Sequence, residues 1–144
     1  MRFLIDTCVI SEIRRAGGDP RVRERLAEVD SDRLFLSVVT VGELTKGIFL
    51  LSKGARRDGL ESWLLRLERD YADRILAVDI ETSRIWGDIT AKASREGMVI
   101  PACDGLIAAT AIRHGLHVMT RDVDHFRPTG AMLVNPWSDG GTQA

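Results

Sequence analysis

Three lysines, two cysteines and one tyrosine are all that this chain of 144 residues holds of those types, and each scarcity excludes something. Cys8 and Cys103 lack the spacing of a metal-binding pair and are too few for a disulfide framework, so a reduced, buried thiol is expected at each. No apolar run approaches the roughly 20 residues a membrane helix needs. The opening MRFLIDTCVISEIRR meets Asp6 too early to form the apolar stretch of a secretory signal, so a cytoplasmic protein without a membrane partner is expected. A net charge of -1 argues against a generic nucleic-acid coat. There is no G-x-S-x-G, no P-loop and no G-x-G-x-x-G. His114, His117 and His125 have no zinc spacing and read as surface or satisfied histidines. Internal repeats, low-complexity stretches and linkers are absent too.

What is present starts with arginine, 17 of the 20 basic residues. Its planar fork suits phosphate, although codon bias would give the same excess. A hydrophobic share of 44% and a charged share of 28% suit one compact domain, expected over residues 1–137. The tail SDGGTQA, residues 138–144, is expected to be disordered.

Short apolar runs alternate with longer segments of helical period, the pattern of an α/β domain with a mainly parallel sheet. Strands are expected at residues 2–5, 34–37, 75–78, 117–120 and, last, 132–134. Helices fall between them. Asp19-Pro20 reads as a cap followed by a first helical residue, and Gly115 as a C-terminal stop. Val41, Leu44, Ile48 and Leu51 recur at three- and four-residue steps. Trp63, Tyr71 and Trp86 lie at core spacing and read as packing rather than as base-stacking platforms.

Four acids stand out by position. Asp6 and Asp122 follow strands, while Glu43 and Asp104 are expected in the first turns of helices. In a parallel sheet these places share one edge, where ligands bind. Four carboxylates gathered there would repel and lose hydration, and a hard divalent cation removes that cost. Mg²⁺ or Mn²⁺ favours carboxylate and water oxygens, and one or two such ions would support phosphodiester hydrolysis. Each acid also has a structural reading. Asp6 can cap a helix, Thr40-Val41-Gly42-Glu43 matches a capping box, Asp104 suits a helix dipole, and Asp122 can order a turn. Cys8 and Cys103, each within two residues of a candidate ligand, read as core packing.

At these residues the chain resembles PIN-domain proteins of the bacterial toxin–antitoxin type, the VapC and FitB-like ribonucleases. FLIDTCVISE is similar to the first motif of that family, LSVVTVGEL to the second, and IPACDGLIAATAIRHGLHVMTRDVDHF to the third and fourth together. The resemblance runs from Met1 to about Pro136, and Asp122 keeps a carboxylate where many relatives carry Asn. It implies a Rossmann-like three-layer sandwich with helices on both faces. It also implies a Mg²⁺- or Mn²⁺-dependent endoribonuclease with Asp6, Glu43, Asp104 and Asp122 as metal ligands and catalytic groups. Thr120 and Arg121 would flank that site as substrate contacts, and Asp124 is a further nearby acid of open role. Such proteins form homodimers and pair with an antitoxin, for which residues 48–67 offer either a helical groove or ordinary core. Two other classes remain open: a PIN-fold module that only binds RNA or protein, and a phospho-acceptor signalling domain. The latter wants a lysine after a late strand, and none follows Lys92.

Overall fold

The computed structural model describes residues 1–138 and the backbone of residues 142–143. Strand β1 (Phe3–Ile5) lies at the centre, pairing in parallel with β2 (Leu34–Ser37) and β4 (His117–Met119). Outside these lie β3 (Ile75–Leu76) and β5 (Leu133–Val134), so the parallel order is β3-β2-β1-β4-β5. A sixth strand, β6 (Thr142–Gln143), joins β5 antiparallel, beyond the strand expected to be last. The rest of the tail expected to be disordered, residues 139–141 and 144, lies outside the described residues.

Alternation along the strands builds two cores, as a sheet covered on both faces requires. Phe3 and Ile5 face α1 (Thr7–Arg14), α2 (Pro20–Ala27), α3 (Val38–Phe49) and α4 (Ala55–Asp70), packing with Val9, Ile10, Val22, Leu44 and Leu64. Leu4 points the other way, into a cluster with Ile89, Ile107, Ala108 and Phe126. These come from α5 (Ile80–Arg95), α6 (Ala102–His114) and the single turn α7 (Val123–Phe126). Leu4, Ile5, Ile107 and Phe126 are fully buried, each burial contributing about 1.5–3 kcal/mol. Trp63 and Tyr71 pack on the first cluster and Trp86 on the second, as core spacing predicts. Among the described residues no helix is long and apolar enough to cross a membrane.

The caps decide where each helix starts. Asp19 accepts from the Arg21 amide at 2.9 Å, ahead of Pro20, and Gly115 ends α6 with φ 67°. The start of α3 differs from expectation. Ser37 caps it by accepting from the Val39 amide at 3.0 Å, so the helix begins at Val38 and Thr40 lies inside it. The capping box does not form, and the buried Thr40 hydroxyl has no partner among the described residues. Glu43 consequently sits in the second turn of α3 rather than the first. Gly105 sets how closely α6 rides on α5, since a Cβ there would lie 3.0 Å from Cδ1 and Nε1 of Trp86. That close approach fixes the neighbouring Asp104 at the sheet edge.

Candidate active site

Ile5 and Met119 are register partners, and the Asp6 amide donates to the Met119 carbonyl at 2.9 Å. Asp6 and Thr120 therefore leave the sheet side by side on one edge. Asp6 is 5% exposed and fully engaged. One carboxylate oxygen accepts from the Thr7 amide at 2.9 Å, capping α1, and the other from the Thr120 hydroxyl at 2.8 Å. The Cys8 thiol lies 3.4 Å from that second oxygen. The Thr120 hydroxyl in turn accepts from the Asp122 amide at 2.9 Å. Thr7 donates its own hydroxyl to Glu43 at 2.7 Å, tying the start of α1 to α3.

The structure brings ligand atoms of Asp6, Cys8 and Asp122 within 4.8 Å of one another. Glu43 joins through Thr7, and Asp104 faces the group from the first turn of α6. Burial raises the Asp104 carboxyl, and the charge of Asp6 raises it further. His125 opposes this, while Glu43 and Asp122 add to it, and the result is about 6. Asp6 is raised as well, mostly by burial, against the pull of its donors Thr120, Thr7 and Cys8 and with a push from Glu43. Among the described residues no lysine or arginine lies within ion-pair distance of any of the four acids, and His125 Nδ1 lies 3.8 Å from Asp104. Carboxylates gathered with no lysine or arginine paired to them among the described residues, joined by one thiol, fit a hard divalent cation.

Two residues lie at the acids to which the sequence reading gave no role there, Cys8 being read as core packing and His125 as a surface or satisfied histidine. Cys8 is half-buried at the acids as well as against the core, and His125, exposed on α7, faces Asp104. Their only signal was closeness in sequence to Asp6 and Asp122. Thr120, expected to touch substrate, is fully buried and serves as a strut between the two aspartates. Arg121 is exposed, its guanidinium 5.2 Å above the ring of Trp137. Asp124 is also exposed, 3.5 Å from Arg127 and turned to that pair. Both thiols are free, but Cys103 is exposed rather than buried, since it opens α6 at the protein surface. Burial first, then the Asp6 charge, pushes the Cys8 thiol up to about 12. Maleimide at about pH 7.5 is therefore expected to modify Cys103 at least about tenfold faster than Cys8. Peptide mapping of a timed labelling series reads this directly, and equal rates would show that Cys8 is neither buried nor beside a charge.

The PIN domain model matches residues 3–130. The chain belongs to the PIN-domain family. It is 40% identical to VapC ribonuclease Y4jK of Sinorhizobium fredii (strain NBRC 101917 / NGR234) over 94% of this chain and 97% of that one. Against toxin FitB of Neisseria gonorrhoeae (strain ATCC 700825 / FA 1090) the identity is 39%, over 95% of this chain and 99% of that one. A solved structure of FitAB bound to an IR36 DNA fragment superposes with a TM-score of 0.91 at 34% identity, covering 96% of this chain and 98% of that one. Relatives named as ribonuclease and toxin therefore match nearly the whole chain.

Proposed function

We propose that the protein is a Mg²⁺- or Mn²⁺-dependent endoribonuclease, the toxin of a toxin–antitoxin pair, built as one PIN domain over residues 1–137 and acting in the cytoplasm. The observation that carries this reading is the gathering of Asp6 and Asp122 at one sheet edge with Glu43 and Asp104 facing them, none of the four within ion-pair distance of a lysine or arginine among the described residues. Asp6 and Asp122 would hold the ion, with Glu43 and Asp104 facing it. When bound, such an ion supplies Lewis acidity toward water and phosphate. The chain's own contribution is positioning. Thr120 fixes Asp6 and the Asp122 backbone together, Thr7 orients Glu43, and the α5–α6 contact holds Asp104. His125 Nδ1, 3.8 Å from Asp104, lies at the rim of this group.

An antitoxin helix is assigned to the apolar groove between α3 and α4, a cavity of about 220 Å³ lined by Ile48, Phe49, Leu64 and Leu65. Next to it a cavity of about 260 Å³ reaches Thr7 and Glu43, so an occupant of the groove can extend a segment to the acids. Homodimer formation is assigned to the outer face of α5 and α6. There Ile80 and Ile112 are exposed at the end where Arg113 pairs with Glu81 at 2.8 Å.

The test is cleavage of a mixed pool of tRNA and structured RNA by the purified chain, free of antitoxin. Cutting is expected with Mg²⁺ or Mn²⁺ and none with EDTA. Cutting that persists in EDTA would discard the metal site.

A further inference from the structure

Arg121 lies between the strut Thr120 and the acid Asp122, yet its side chain leaves the acidic cluster. Its amide points to the Cys8 sulfur at 3.5 Å, and its guanidinium carbon lies over the Trp137 ring, 5.2 Å from the ring centre. That places it on the wall of an open groove of about 460 Å³, whose opposite wall is the turn between α1 and α2. Among the described residues two acids line the groove, and both are already paired. Glu12 accepts from Arg15 at 2.7 and 2.9 Å and from the Asp19 amide at 2.8 Å. Asp19 accepts from Arg21 at 2.9 Å. Their carboxyls are held below the usual range, Glu12 chiefly by the Asp19 amide and Asp19 chiefly by Arg21. Among the described residues no carboxylate lies within ion-pair distance of Arg121. Among the described residues three arginines and two acids line the groove, and Arg121 is the arginine that forms no ion pair, its charge reaching Glu12 and Asp19 only from a distance.

Trp137 is 8% exposed and locked in the turn after β5, its amide donating to Asn135 Oδ1 at 2.9 Å. A guanidinium stacked on a ring keeps its in-plane N–H donors, and a flat fork of that kind matches a phosphate. Gly18 folds the opposite wall back on α1, since a Cβ there would meet the Glu12 carbonyl oxygen at 2.3 Å. A Cβ on Gly17 would meet nothing within 4 Å, so the groove stays open at that point.

We infer that this groove is a subsite for the RNA phosphate that flanks the scissile one on a single strand, with Arg121 binding it and Trp137 positioning Arg121. The inference rests on the ribonuclease reading above. The scissile phosphate belongs at the acids, and the next phosphate along the strand is delivered to Arg121, which forms no ion pair among the described residues. A stacked arginine one residue from a metal ligand can grip that neighbour without neutralising the acids.

The experiment compares the wild-type chain with Arg121→Ala, Arg121→Lys, Trp137→Leu and Gly17→Phe. Steady-state cleavage of a short single-stranded RNA is followed with Mn²⁺, and binding of the same labelled RNA is followed in EDTA across a salt series. Arg121→Ala is expected to raise KM about fivefold to tenfold with kcat within about twofold, and to flatten the salt slope by about 0.7. Arg121→Lys restores the slope but not the full affinity, because the fork is lost. Trp137→Leu keeps the slope and raises KM. Gly17→Phe narrows the groove from the wall that does not carry Arg121 and is expected to raise KM too, which covers the case in which Trp137→Leu does not fold. An Arg121→Ala protein with unchanged KM and unchanged slope overturns the subsite, and so does a loss confined to kcat. A wild-type chain that cuts no RNA refutes the ribonuclease reading instead, and the EDTA salt slope then decides the subsite by itself.

Discussion

Asp6→Asn is expected to lower RNA cleavage by at least about a hundredfold while the protein stays folded. The amide keeps the shape of the carboxylate. Its oxygen still accepts from the Thr7 amide and caps α1, and its NH₂ turns to the Thr120 hydroxyl, which has an acceptor lone pair to spare. Only the charge goes, and the charge is what a divalent ion needs from a residue 5% exposed at the centre of the group. A second consequence has the opposite sign. Burial raises the Asp6 carboxyl, so the ionised group opposes folding at neutral pH when no cation is present. The Asn variant should therefore melt higher than wild type in EDTA even as it loses activity. Lower activity with a lower melting temperature would point to a collapsed site, and undiminished cleavage would remove Asp6 from the chemistry.

The reading of the sequence succeeded where the signal was local. Asp6 follows an apolar run that pairs on both sides, Asp19-Pro20 and Gly115 are capping chemistry, and Asp104 opens a helix of small residues. It failed where two local signals competed. Ser37 and Thr40 both precede a helical pattern, and the capping-box spacing favours Thr40. The strand is held by β1 and β3 only as far as Ser37, so the chain turns there and the earlier cap wins. Helix α7 went unread because four residues carry no helical period. Cys8 meets Thr120 at 3.6 Å across 112 positions, and Arg121 meets Trp137 through a turn beyond β5. Contacts of that kind are made only once the sheet has assembled, and no spacing rule contains them. Arg121 was singled out for its place beside Asp122, but its stacked partner and its direction away from the acids were not legible.

Adding Mn²⁺ at about a hundredfold over its Kd is expected to stabilise the protein by about 2.7 kcal/mol, raising the melting temperature by roughly 10 °C. The metal-free protein should show the complementary behaviour with pH. Asp104 has an ordinary carboxyl value of 3.8 and a folded value of about 6, so between these the folded chain holds more protons than the unfolded one. Stability then falls as pH rises through that window, and the penalty is complete above it. Allowing for its partial exposure, Asp104 accounts for about 1 kcal/mol of this, and buried Asp6 acts in the same direction. His117, lowered by burial, works the other way, while Glu12, Asp19 and Asp79 lose their stabilising charge only at more acid pH. Asp104→Asn isolates the acidic cluster from these. In urea titrations at about pH 7.5 and about pH 5.5 in EDTA, the wild type should gain from acidification relative to the variant. Saturating Mn²⁺ should remove that difference, because a bound cation replaces the proton as the group that relieves the repulsion. If Mn²⁺ left the melting temperature of wild type and Asp6→Asn equally unmoved, the four acids would be a structural cluster, and the fit to a divalent ion would be withdrawn.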